Sequence, residues 1–124
     1  IYPELHYGRD SLVGVALFLT YLAGQDKTVA ELRASYPQYY MSKNKIELTP
    51  QIDVDAILAS LTQTYKNEQI STIDGVKIDF ENQWIHLRKS NTEPIIRIYT
   101  EATSQLDADT LAIRFINEIK QIIK

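Results

Sequence analysis

The dipeptide Asp74-Gly75, followed at once by strict alternation, constrains this chain more than any other feature. Beyond it Val76, Ile78 and Phe80 alternate with Lys77, Asp79 and Glu81. Asp-Gly suits the left-handed backbone of a tight hairpin, and a period of two gives a strand with one apolar and one wet face. Glu81-Asn82-Gln83 turns the chain again and Trp84 to Arg88 runs back, so neighbouring strands are antiparallel. A short strand holding Ile70 and Ile73 precedes the turn. After polar Arg88 to Glu93, a further strand spans Pro94 to Ala102, with Ile96 and Ile98 on one face and Ile95, Arg97, Tyr99 and Glu101 on the other.

Two helical periods flank these strands. Val54, Ile57, Leu58, Leu61 and Tyr65 form one apolar stripe, and Leu111, Phe115 and Ile119, joined by Ala108, Ala112, Ile116 and Ile123, form another. Ser104 with Asp107 three residues on opens the second helix. The economical solution is an α+β fold: an antiparallel sheet of about four strands with both helices on one face.

The first part of the chain reads differently. Ile1 to Gly8 has no period. Asp10 and Gly24 bracket Ser11 to Ala23 as start and stop signals of a helix that is apolar nearly all round and therefore expects burial on most of its surface. At 1.5 Å per residue it reaches about 20 Å, too short to span a bilayer. Thr28-Val29-Ala30-Glu31 is a capping box for a short helix ending before Pro37. Met41 to Thr49 reads as an extended linker that becomes a strand, with a domain boundary around Ser42 to Asn44. Tyr36, Tyr39 and Tyr40 suit such a linker. The chain starts at Ile1, not Met, and carries an apolar helix with nothing nearby to cover it. Both features suggest a piece excised from a longer protein.

Composition removes several function classes. Thirteen Lys and Arg against sixteen Asp and Glu give a net charge of −3 over 124 residues, a poor balance for holding nucleic-acid backbone. Without cysteine there is no disulfide, thiolate or cysteine–zinc chemistry, and the composition is compatible with the cytosol. His6 and His86 are the only histidines, neither with metal-ligand spacing, and there is no Ser-His-Asp order, P-loop or GxGxxG. His6 reads as a loop or packing residue. Arg9 and Asp10 read as a helix-start ion pair and cap. Trp84, His86 and Arg88 share one strand face, opposite Ile85 and Leu87.

Chemistry concentrates in Arg88-Lys89-Ser90-Asn91-Thr92-Glu93-Pro94. A planar guanidinium fork, an ammonium, two hydroxyls, a carboxamide and turn amides together suit a phosphate dianion. Ser-Asn-Thr before Pro is also ordinary turn chemistry, so an anion site and a plain surface turn both fit. Glu93 is discordant for an anion site and reads either as orienting Arg88 or as a partner for a sugar hydroxyl.

That loop, followed by Arg97 and Glu101-Ala102, resembles the Arg-x-Ser-Asn/Gly-Thr-x-Pro phosphate loop of the α-D-phosphohexomutases, the phosphoglucomutase/phosphomannomutase and phosphoglucosamine mutase enzymes. Thr72 to Phe80 resembles the strand pair ahead of the loop. Pro3 to Asp10 with the apolar helix resembles the end of that family's third domain. The resemblance implies a four-domain cytoplasmic enzyme. Residues 1–43 would be the tail of the third, α/β domain with a linker, and residues 44–124 a TBP-like fourth domain that closes over substrate. It implies an intramolecular phosphotransferase interconverting hexose 1- and 6-phosphates through a phosphoserine and a bisphosphorylated sugar. Magnesium and a sugar-bisphosphate activator would serve the whole enzyme, and this piece would be inactive alone.

By position, Arg88, Ser90, Asn91 and Thr92 match the residues holding the non-reacting phosphate, with Lys89 and Glu93 auxiliary. The implied partners are a hexose phosphate and the remaining domains of the same chain, with neither nucleic acid nor membrane. Glucose, mannose and glucosamine phosphates share the phosphate and are not told apart; the resemblance leans towards phosphomannomutase/phosphoglucomutase-like or archaeal-type phosphoglucosamine mutases. Alternative readings are a stand-alone phosphate- or nucleic-acid-binding module and a plain interaction domain.

Overall fold

A computed structural model describes residues 1–49, 51–90 and 92–123. The chain divides into two compact units, Ile1–Pro37 and Gln38–Lys124.

The first unit contains α1 (Ser11–Ala23) and α2 (Val29–Ala34). Both start where their side chains satisfy the otherwise unpaired first amides. Asp10 Oδ1 accepts from the Val13 N–H at 3.0 Å. Thr28 and Glu31 close the capping box in both directions: the Glu31 N–H donates to Thr28 Oγ1 and the Thr28 N–H to Glu31 Oε2. Asp10 pairs with His6 rather than with Arg9. His6 Nδ1 accepts from the Gly8 N–H, which leaves Nε2–H to donate to Asp10 Oδ2 at 3.0 Å. That hydrogen bond, with the Val13 N–H, holds the Asp10 carboxyl below the usual carboxylate range. The expected burial of α1 is not met by the described residues: none of its side chains is buried, and Leu12, Val15, Leu17 and Leu19 are all exposed.

The second unit is an α+β layer pair. Its strands are β1 (Tyr40–Glu47), β2 (Gln69–Ser71), β3 (Val76–Asp79), β4 (Gln83–Lys89) and β5 (Ile95–Ala102); its helices are α3 (Val54–Thr64) and α4 (Gln105–Ile122). The sheet is antiparallel throughout, in the order β1-β5-β4-β3-β2. It has five strands where the sequence suggested about four, the shortest being the three-residue β2 at an edge, where a short strand holding Ile70 was expected. The expected junction at 43/44 falls inside β1, and the two units meet at 37/38 instead. All eight residues of β1 pair with β5, from Tyr40 opposite Ala102 to Glu47 opposite Ile95.

Register explains the core. Ile46 lies opposite Ile96, Leu87 opposite Ile98 and Val76, and Ile78 opposite Ile85. Residues directly opposite share a face, so these side chains form one apolar sheet surface. Onto it α3 lays Val54, Ile57, Leu58 and Leu61, and α4 lays Leu111, Phe115 and Ile119, in a single cluster. Two buried hydroxyls tie α4 down: Thr100 Oγ1 donates to the Ala108 carbonyl at 2.7 Å, and the Ser42 hydroxyl bonds to Asp109, lowering that carboxyl's pKa. Tyr65, at the end of α3, stacks on Phe115 with centroids 5.0 Å apart. Its hydroxyl donates to Glu118 at 2.7 Å and accepts from Arg114. Burial first, then the Glu118 contact, push its pKa up. No helix among the described residues is long and apolar enough to cross a membrane.

Candidate functional site

With both helices on one face, the other face of the sheet carries the polar members of each strand. At the end where β4 passes into β5, three cations stand abreast: Lys45 of β1 lies opposite Arg97 of β5, which lies opposite Arg88 of β4. Antiparallel partners are about 4.5–5.5 Å apart at Cα, and like charges so placed repel. The outer two are partly neutralised, Lys45 by Glu47 at 2.9 Å and Arg88 by Asp74, whose Oδ1 lies 3.2 Å from Nε. Arg97, in the middle, makes no ion pair with any described residue. A bound dianion would turn the Arg88–Arg97 repulsion into two attractions.

The loop beside this pair supplies hydroxyls more than amides. The Ser90 N–H is spent on the Ile95 carbonyl at 3.1 Å, which continues the hairpin ladder. The Thr92 N–H points back to Ser90 Oγ at 3.4 Å, and the two hydroxyl oxygens are 3.5 Å apart. Arg88, Lys89, Ser90, Thr92 and Arg97 line one depression of about 190 Å³. Arg88 therefore does face the same space as Ser90 and Thr92.

The remaining expected residues divide. Asn91 lies outside the described residues. Lys89, alternating to the other side of β4, places Nζ 2.7 Å from Asp55 Oδ2 at the start of α3, which holds its pKa up. It lines the depression, but its ammonium is tethered to that carboxylate. Glu93 does not orient Arg88; Asp74 is the carboxylate there. Glu93 instead lines a neighbouring concavity of about 330 Å³ with Lys43, Lys45, Arg97 and Tyr99.

Reading along the chain undervalued Arg97 and Asp74, because their place depends on pairing between strands. The available signal for Arg97 was its strand parity, which puts it on the outward face with Tyr99 and Glu101. Asp74 carried only a turn signal. At the opposite end of the sheet, a roomier depression of about 400 Å³ is lined by Glu81, Asn82, Gln83, Thr103 and Asp107 among others. It has no cation to offer a phosphate. Trp84 is also engaged, its Nε1–H donating to Glu101 at 2.9 Å and Lys77 Nζ lying 5.2 Å from its ring centroid. Among the described residues no three His, Asp or Glu side chains converge as metal ligands.

Fold and loop together define an α+β domain with a cationic, hydroxyl-lined hollow at one end of its sheet. A family model described as "Phosphoglucomutase/phosphomannomutase, C-terminal domain" matches residues 24–118, and the chain belongs to that family. The five-stranded architecture is consistent with the TBP-like fold expected of it. A phosphoglucosamine/phosphogalactosamine mutase of Sulfurisphaera tokodaii is 39% identical over 126 residues, covering 100% of this chain and 27% of the relative. A phosphoglucomutase/phosphomannomutase of Thermococcus kodakarensis is 37% identical, covering 85% and 23%. A phosphomannomutase of Methanocaldococcus jannaschii is 28% identical, covering 98% and 26%. The chain thus spans about a quarter of the length of these curated relatives.

Proposed function

We propose that this chain is the phosphate-gripping C-terminal part of a hexose-phosphate mutase, an isomerase of the phosphotransferase type. The observation that carries the reading is the direct cross-strand opposition of Arg88 and Arg97 above the Ser90 and Thr92 hydroxyls. Two guanidinium groups and two hydroxyls suit a phosphate dianion, with Asn91 between them in sequence. This phosphate is the one that does not react. Its binding orients the sugar and drives closure of the domain over it, so binding energy from a remote group lowers the barrier at the reacting end. A sugar bisphosphate presents the same dianion to the same hollow.

The phosphoserine nucleophile and the magnesium ion belong, on this reading, to other domains. The described residues do not form a magnesium site. The isolated piece is accordingly inactive. Residues up to about 37 are the tail of the preceding α/β domain, whose body would cover the exposed face of α1, and the whole enzyme is cytoplasmic, where hexose phosphates are retained. Glucose, mannose and hexosamine phosphates share the group being gripped, so discrimination among them rests elsewhere. A nucleic-acid surface is disfavoured by the net charge of −3 and by the ion pairs that occupy Lys45, Lys77, Arg88 and Lys89.

Titration of the chain with glucose 6-phosphate tests this. Arg88→Ala is expected to weaken binding about tenfold to a hundredfold, the loss of one charge-assisted contact of about 1.5–3 kcal/mol. Lys89→Ala, whose ammonium is already held by Asp55, should cost less than about threefold. Equal losses from the two would indicate diffuse attraction and overturn the shaped site, as would tighter binding of an oligonucleotide than of the sugar phosphate.

A further inference from the structure

We infer that Asp74 is a positioning residue for Arg88, and that the Asp74-Gly75 turn is built to present that guanidinium to its ligand; the inference rests on the anion-site reading above. Three contacts converge. Asp74 Oδ1 lies 3.2 Å from Arg88 Nε, an ion pair on the Nε side of the guanidinium. His86, two residues before Arg88 on the same strand face, bonds the Asp74 carbonyl through Nε2; a carbonyl only accepts, so Nε2 carries the proton and donates. At Gly75, where φ is +74°, a Cβ would lie 2.2 Å from the Leu87 carbonyl oxygen and 3.1 Å from Arg88 Cα. The turn backbone is therefore pressed onto the residue whose side chain it orients.

The chemistry follows from the guanidinium's shape. It carries five N–H donors in one plane. With the carboxylate nearest Nε, the two terminal nitrogens, the fork that matches two phosphate oxygens, remain for a ligand. Holding a long side chain in its bound geometry removes part of the ordering cost of binding. Both groups are about half exposed, with side-chain exposures of 49% for Arg88 and 58% for Asp74. An ion pair so open to water adds little to folding, so orientation is its main effect.

Charge and geometry predict opposite signs. By Coulomb's law alone, a carboxylate beside an anion site weakens binding, and removing it should tighten binding. Positioning predicts that Asp74→Ala weakens it. The full chain is titrated with glucose 6-phosphate, and the Arg88 Nε–H resonance is followed by NMR. Asp74→Ala is expected to weaken binding about three- to tenfold and to speed exchange of that proton. Asp74→Asn keeps a side-chain oxygen beside Nε without the charge and should restore part of the affinity. On an Arg88→Ala background, Asp74→Ala should add nothing. Tighter binding in Asp74→Ala, an unchanged Nε–H signal, or a full additional loss on the Arg88→Ala background would each overturn the inference. If Arg88→Ala alone leaves binding intact, the anion-site reading falls, while the exchange of the Nε proton still reports whether Asp74 holds the side chain. Trp84 fluorescence checks that each variant is folded.

Discussion

Phe115→Ala is expected to lower the stability of the Gln38–Lys124 unit by about 3–5 kcal/mol, the range for removing a fully buried aromatic ring. Phe115 has no exposed surface. Its ring stacks on Tyr65 at 5.0 Å and meets Phe80 at 6.4 Å, so α4, the end of α3 and the β3–β4 turn all lean on it. Such ring pairs add about 0.5–1.5 kcal/mol beyond area burial. Because Tyr65 is itself fixed by Glu118 and Arg114, it cannot swing freely into the space left behind. Domains of this size have about 5–15 kcal/mol in total, so the variant loses a large fraction of its margin. Urea unfolding followed through Trp84, the single tryptophan, gives the value. Ile113→Ala, on the exposed side of the same helix, should stay within about 0.5 kcal/mol of the parent. A Phe115→Ala loss below about 1.5 kcal/mol would mean that the three rings do not form one packed unit.

How much of this was readable from the sequence depends on whether the signal was local. The stripes of α3 and α4 and the alternation of β3 and β5 were legible, because each element buries one face against a single core and the burial imposes the period. The caps at Asp10, Thr28 and Ser104 were legible because their signal is local too: each satisfies an amide three residues away. β1 was not. Its inward positions carry Ser42, Asn44 and Ile46, so one large apolar residue had to stand for a whole strand, and only pairing with β5 sets its extent. The burial of α1 failed differently, because caps are encoded within a helix whereas cover must come from outside it. In the site, the cations and hydroxyls of the loop were visible as a run. Arg97 and Asp74 enter through strand register and through the packing of a turn onto β4, neither of which leaves a periodic trace.

Gly75→Ala tests that packing, and it is expected to cost about 3 kcal/mol or more. Two effects add. An L-residue held in the left-handed region loses about 1–2 kcal/mol relative to glycine. Independently, the new Cβ would sit 2.2 Å from the Leu87 carbonyl oxygen, a backbone atom that no side-chain rotation can move aside. Gly75→Asn separates the two, since asparagine tolerates the left-handed backbone far better than alanine but brings the same Cβ. If dihedral strain dominated, Gly75→Asn would return to near parental stability. The close approach predicts instead that it recovers about 1 kcal/mol at most and stays clearly destabilised. Relief requires the turn to lift away from β4, which draws Asp74 off the Arg88 guanidinium. The glucose 6-phosphate affinity of whatever folds should therefore fall along with the urea midpoint. Parental stability in Gly75→Asn, or a destabilised Gly75→Ala that binds the sugar phosphate as the parent does, would show that the turn and the anion site are not mechanically joined.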